Sequence, residues 1–190
     1  MNVTKNREEI KNLSTSAICL ALALFLPFLT GQIPEIGQAL LPMHIPILLC
    51  GFICGPRYAA IVGLTAPLLR FMLFGMPAIM PMGVAMSFEL ATYGIVVGLL
   101  YKMLPKKVVF IYVSLVAAML AGRAVFGLAF LQTLGIQGGQ YSWEAFVSGV
   151  FVSALPGIIL HIILIPIIVI AMQKARFINS GENHLQQKSL

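Results

Sequence analysis

The chain has 190 residues, 59% of them hydrophobic and only 9% charged, with a net charge of +6 and a mean hydropathy of +0.97. A water-soluble domain carries about 25% charged residues, so this chain has too little polar surface to cover a globule in water. Its solvent is lipid, and six spans of about 20 apolar residues with short loops would use nearly all of it. The expected fold is an all-α integral membrane bundle of six transmembrane helices. It forms one domain over residues 1–190, with a leader (1–13), a bundle (14–173) and a tail (174–190).

Residues Met1 to Leu13 are polar and basic. Ser14 to Thr30 reads as the first helix, interrupted only by Pro27 near its end. Its basic leader resembles that of a signal peptide, but the small residues Ala21 and Ala23 are followed by more apolar chain, so the helix is expected to be retained. A segment rich in Gly, Pro and Gln, Gly31 to Pro42, is long enough to cover one membrane face. His44 to Gly55 is apolar but short for a full span. The turn Gly55-Pro56-Arg57 leads into a third helix, Tyr58 to Gly75. A loop rich in Pro and Met, Met76 to Pro81, precedes a fourth, Met82 to Tyr101. After the basic turn Lys102 to Lys107 comes a fifth helix, Val108 to about Leu131. A glycine-containing loop ends at Tyr141-Ser142-Trp143-Glu144, and a sixth helix runs from Ala145 to Gln173, with Pro156 and Pro166 as places to bend. Cys19, Cys50 and Cys54 fall in apolar runs without His or carboxylate at ligand spacing, so neither a metal site nor a disulfide framework is expected.

Lysine and arginine are enriched in cytoplasmic loops. Lys5, Arg7 and Lys11, Arg57, Lys102, Lys106 and Lys107, and Lys174, Arg176 and Lys188 all fall on one side of the six-span arrangement, and the three opposite loops hold none. Both termini are therefore expected in the cytoplasm. The basic residues stand where anionic headgroups lie, which explains the positive charge without invoking nucleic acid.

Arg70 and Arg123 remain, both within apolar helices, and Glu89 joins them in the fourth. A charge at mid-bilayer costs about 2.5 to 3.5 kcal/mol on insertion scales, so such residues face a polar interior and often mark a ligand path. Counted at about 1.5 Å per residue, all three lie in the extracellular half, where His44 begins helix two and Tyr141 and Trp143 precede helix six. The candidate substrate-binding residues are His44, Arg70, Glu89, Arg123, Tyr141 and Trp143. The plainer alternative is a structural ion pair of Glu89 with one arginine while the other snorkels outward. Two arginines against one glutamate still leave positive charge, which a carboxylate or phosphate on a ligand would balance. Tyr141 and Trp143 have an alternative role as interfacial anchors, and His161, deeper in helix six, reads as a hydrogen-bonded packing residue.

Small residues stand four apart at Ala17 and Ala21, Gly51 and Gly55, Ala59 and Gly63, Gly94 and Gly98, and Ala118 and Gly122, a spacing that lets helix backbones approach in lipid. No stretch matches the glycine-rich phosphate loop ending in Lys-Ser or Lys-Thr, so the chain carries no recognisable nucleotide motor. The two-histidine helix of intramembrane metalloproteases and a serine–lysine arrangement are missing too. The chain is expected to be no enzyme and to need no cofactor.

In order, these features resemble the substrate-binding S components of energy-coupling factor (ECF) vitamin transporters. The resemblance rests on six spans in this length, the long loop after helix one, Ala17-x-x-x-Ala21, and Leu41-Pro-Met-His-Ile-Pro-Ile followed by Gly51-Phe-Ile-Cys-Gly-Pro-Arg57. It implies capture of a vitamin near the extracellular face, with the loops after helices one, three and five closing over it. It also implies that Ala17 and Ala21 meet a transmembrane coupling protein driven by two cytoplasmic ATPase subunits, and that the chain resides in a bacterial plasma membrane. Release would follow rotation of the chain within the membrane.

Two other classes stay open on sequence. A self-sufficient secondary carrier or channel would usually show inverted repeats around a midplane site, and no convincing repeat relates the halves here. An intramembrane enzyme using Glu89, His44 or His161 as acid or base would lack a nucleophile or metal constellation. Pantothenate leads among solutes because its carboxylate suits two arginines; pyridoxine-like compounds, folate, niacin and a queuosine precursor remain alternatives.

Overall fold

The computed structural model describes residues 3–30, 33–136 and 154–175. Seven α-helices are seen among them, and no strand: α1 (Val3–Phe25), α2 (Pro34–Leu40), α3 (His44–Cys54), α4 (Pro56–Phe74), α5 (Val84–Met103), α6 (Val108–Ile136) and α7 (Leu155–Lys174). Five helical stretches, Asn6–Thr30, Pro56–Phe74, Ile79–Met103, Val108–Thr133 and Leu155–Lys174, are long and apolar enough to cross a membrane. The apolar α3 has 11 residues. At about 1.5 Å per residue it reaches roughly half of a ~30 Å hydrocarbon core, as its short sequence run foretold.

Several boundaries differ from the sequence reading: α6 runs on to Ile136 in place of about Leu131, and a helical turn, Ile79–Gly83, leads into α5 from within the expected loop. The first helix begins at Val3, inside the polar leader, because no glycine or proline precedes Pro27 and Glu8 stands three residues before Lys11, a spacing that supports a helix. At Pro27 it tightens into a 3-10 turn, Leu26–Thr30. The segment expected to be a flap also contains α2, which starts on Pro34, a residue pre-set for the first helical position. It ends at Leu41, whose left-handed backbone (φ 50°) lets its N–H reach the Gly37 carbonyl at 2.9 Å. The turns at the two ends of α4 follow glycine. Gly55 (φ 87°) turns the chain between α3 and α4, and Gly75 (φ 72°) closes α4 by donating to the Phe71 carbonyl. Residues 145–153, assigned by sequence to the last span, lie outside the described residues.

Helix α5 is the centre of the bundle, packed along α4 on one side and α6 on the other, with α3 across it. Glycine makes those approaches possible. A Cβ on Gly94 would stand 2.7 Å from Ala59, one on Gly63 2.5 Å from the Leu90 backbone, and one on Gly98 2.6 Å from Pro56. Gly51 of α3 abuts Val97 in the same seam. The core comprises Ile47, Leu48, Leu90, Val97, Ile111, Leu115, Ile165 and Val169, all fully buried. Cys19, Cys50 and Cys54 lie in it as free thiols.

Against this core α1 presents Ser16, Cys19 and Ala23, a stripe at helical spacing that Pro27 continues in the 3-10 turn. Its other side, with Ala17, Ala21, Ile18, Leu22 and Phe25, is exposed. At the end of the bundle where α5 finishes, Gln173 donates to the Tyr101 hydroxyl at 2.7 Å, tying α7 to α5. Lys106 packs over the Tyr101 ring and donates to its carbonyl, and desolvation there lowers the lysine's pKa.

Candidate substrate-binding cavity

Successive long helices run in opposite directions, so one end of the bundle gathers the end of α1, the starts of α3, α5 and α7, and the last turns of α4 and α6. A cavity of about 290 Å³ opens there. His44, Arg70, Glu89 and Arg123, four of the six candidates read from sequence, all line it. The other two, Tyr141 and Trp143, lie outside the described residues. The helix count and direction alone place the four at this end, since each is within a few turns of the relevant helix terminus.

Glu89 is the hub. Its Oε1 lies 3.3 Å from Arg123 Nε and its Oε2 3.3 Å from His44 Nε2, so one carboxylate joins α5 to α6 and to α3. All three side chains are 5% exposed or less. Both contacts are within ion-pair reach but lack hydrogen-bond alignment: His44 Nε2, Glu89 Oε1, Arg123 Nε and Arg123 Nη2 have no aligned partner among the described residues. Buried polar atoms in native proteins are seldom left so, which makes these the groups a polar ligand would engage. Pairing is also what makes the burial tolerable, because an isolated charge would lose its hydration without return.

Tyr93, one turn beyond Glu89 on the same face of α5, was not among the sequence candidates. Its ring meets the His44 ring edge-on with centroids 5.3 Å apart, and its hydroxyl lies beside Glu89 and Arg123. Gly122 makes room for it: any Cβ there would run into the Tyr93 ring. The signal was present as Glu89-x-x-x-Tyr93, an i, i+4 pair, and as the glycine preceding Arg123. On the far side His161 of α7 stacks on His44, centroids 6.1 Å apart and planes 24° from parallel. His161 is fully buried, with the Leu41 backbone at its ring.

Arg70 sits differently. Its Nη1 donates to the Leu24 carbonyl, and its guanidinium lies 5.1 Å from the Phe28 ring centroid and 5.5 Å from that of Phe74. Those rings meet edge-on at 4.9 Å. The carbonyl is free for this bond because the donor that a 3-10 turn would supply three residues on is Pro27, which has no N–H. The rest of the cavity is apolar: Met43, Met76, Met82, Met86 and Phe126 supply thioether and ring surface, and Pro27, Pro42 and Pro77 supply stiff loop walls. Thr30 is among the lining, its hydroxyl donating to the Pro27 carbonyl at 2.7 Å. Sequence inspection marked the charges and passed over this wall, since methionine in an apolar run carries no signal of its own. No set of three His, Cys, Asp or Glu side chains is grouped to hold a metal among the described residues.

A helical multi-pass membrane protein with an ionisable cavity at one end of its bundle is a solute-handling architecture, and the comparisons narrow it. Residues 11–169 match the family described as ECF transporter, substrate-specific component. The chain belongs to that family and is a substrate-specific component of an ECF transporter. Comparison with curated proteins and with solved structures returned no match.

Proposed function

We propose that the chain captures an anionic vitamin or vitamin precursor with high affinity in the cavity around Glu89, at the extracellular side of a bacterial plasma membrane, for ATP-driven import. Pantothenate is the leading solute. In this reading Arg70 and Arg123 receive the anionic group, Glu89 and His44 hold Arg123 in place, and the loops on either side of α2 and after α4 wall the solute in. Tyr141 and Trp143 would complete the site from the loop before the last span. Both termini are cytoplasmic, following the lysine and arginine distribution. The chain performs no chemistry on the solute. A transmembrane coupling protein docks on Ala17 and Ala21, and two cytoplasmic ATPase subunits drive release.

The observation that carries this reading is the convergence of Arg70, Arg123, Glu89 and His44 on one mostly apolar cavity, within a chain of the ECF substrate-specific family. Such a combination of apolar walls and a few fixed polar groups is the usual form of a small-molecule site. Mass spectrometry of compounds co-purifying with the detergent-solubilised protein, followed by calorimetry with the compound found, tests it. The expected result is one small anion bound with a stoichiometry of one. Purified protein that carries no solute and binds none of the B vitamins or their precursors would refute the proposal.

A further inference from the structure

The charge of the solute follows from the partners of the two arginines, given the reading of the cavity as the solute site. Among the described residues the cavity presents one carboxylate and two guanidinium groups. Glu89 lies in ion-pair contact with Arg123, so those two charges cancel. His44 directs Nε2 at the same carboxylate, and its Nδ1 has no hydrogen-bond partner among the described residues. Arg70 is different again: among the described residues its partners are the Leu24 carbonyl and the rings of Phe28 and Phe74, all uncharged. These contacts orient a guanidinium and favour it, but they leave its charge in place. Among the described residues the arginine and glutamate side chains of the wall therefore sum to one positive charge, located at Arg70.

Within a lipid-embedded site charges are poorly screened, so the bound solute is favoured when its charge closes that sum. We infer that the site selects a monoanion, a free carboxylic acid with no second net charge, and that Arg70 receives its carboxylate with Arg123 Nη2 as a second donor. A phosphate monoester or a dicarboxylate would leave a negative charge unbalanced beside Glu89. A neutral solute would leave Arg70 unbalanced, and a cation would add to it. The solute's remaining surface meets Met43, Met82, Met86 and Phe126, which favours a compact, mostly apolar body.

The test is calorimetry of the full chain against probes that differ in charge: pantothenate, nicotinate and biotin as monocarboxylates, pantothenol and pyridoxine as neutral compounds, thiamine as a cation, folate and pyridoxal phosphate as multiply charged anions. A monocarboxylate is expected to bind at least tenfold tighter than every member of the other classes. Arg70→Met should weaken it tenfold or more, and Arg70→Lys should regain most of that loss. Glu89→Gln adds one positive charge to the wall, so the ratio of monoanion to dianion affinity should fall, a change that mere loosening of the fold would not produce. A neutral, cationic or dianionic probe that outbinds every monocarboxylate overturns the charge assignment and leaves the cavity standing as the site. Unchanged monocarboxylate affinity in Arg70→Met overturns the role of Arg70. If no probe binds the wild-type chain and no solute co-purifies with it, both this inference and the reading beneath it fail.

Discussion

Helix α5 is met by α3, α4 and α6: Gly94 touches Ala59, Gly63 touches Leu90, Gly122 admits Tyr93, and Glu89 is reached from both α3 and α6. Along the outer side of α1, Ala17 and Ala21 stand at the same spacing as those glycines and are exposed among the described residues. In lipid no hydrophobic force drives helices together, so contact depends on close backbone approach and polar pairing. The interior of the bundle has used both. The α1 face has the smallness without the contact. The two regions share no residue, so solute capture and docking should respond to different mutations.

The largest effect is expected from the charged hub. Arg123→Met removes one partner of a buried pair and leaves Glu89 facing His44 alone, which should weaken solute binding by about 2 to 5 kcal/mol while the chain still inserts. Isothermal titration of wild type and variant with the co-purified solute measures it. An unchanged affinity would remove Arg123 from the site.

A smaller effect, on stability instead of binding, is expected in the seam. Gly94→Leu forces a side chain against Ala59, where even a Cβ would stand 2.7 Å away, and should destabilise the bundle by about 3 kcal/mol. Thermal unfolding in detergent should show a lower midpoint and a lower monodisperse yield. A variant as stable as wild type would mean that α4 and α5 can part without cost, and the contrast with α1 would lose its basis. Gly122→Ala is milder. Its methyl group meets the fully buried Tyr93 ring, which has to shift, so about 1 to 2 kcal/mol of stability should be lost. Because Tyr93 flanks His44, solute affinity should fall as well, and an affinity that stays at the wild-type value would show that Tyr93 plays no part in ordering the hub.

Much of this arrangement was legible in the chain. Arg70, Glu89 and Arg123 stand out because charge in an apolar run is costly, and helix direction carries them to one end. Proline and glycine mark the ends of α3 and α4 for the same local reasons that operate in the structure. Which arginine Glu89 holds was not legible: Arg70 and Arg123 lie at comparable depth, and only the rotation of α4 and α6 about their axes sends one to the carboxylate and the other to Phe28 and Phe74. The short helix Pro34–Leu40 was hidden by its Gly, Pro and Gln, residues that also describe a loop. The five small pairs looked alike in sequence. Four have members within the packed interior, and Ala17 with Ala21 faces outward, a distinction that depends on which stripe of α1 carries Ser16, Cys19 and Ala23.

The smallest effect on the chain itself is expected at that outward stripe, and it is the sharpest test of the contrast. Ala17 and Ala21 are exposed, so a tryptophan at either position displaces nothing within the bundle. Exposed substitutions away from packed features change stability by about 0.5 kcal/mol or less, and neither residue lines the cavity. An incoming helix, by contrast, would meet a large ring where it needs close backbone approach. Ala17→Trp and Ala21→Trp should therefore keep wild-type solute affinity and thermal midpoint yet lose assembly with the coupling protein and ATP-dependent uptake. Calorimetry, co-purification with the coupling complex and transport into reconstituted vesicles read the three properties separately. Lost affinity together with lost assembly would mean that α1 transmits strain to the cavity through its terminal turn, where Arg70 grips the Leu24 carbonyl. Normal assembly and transport in both variants would place the docking surface elsewhere and leave the small stripe of α1 facing only lipid.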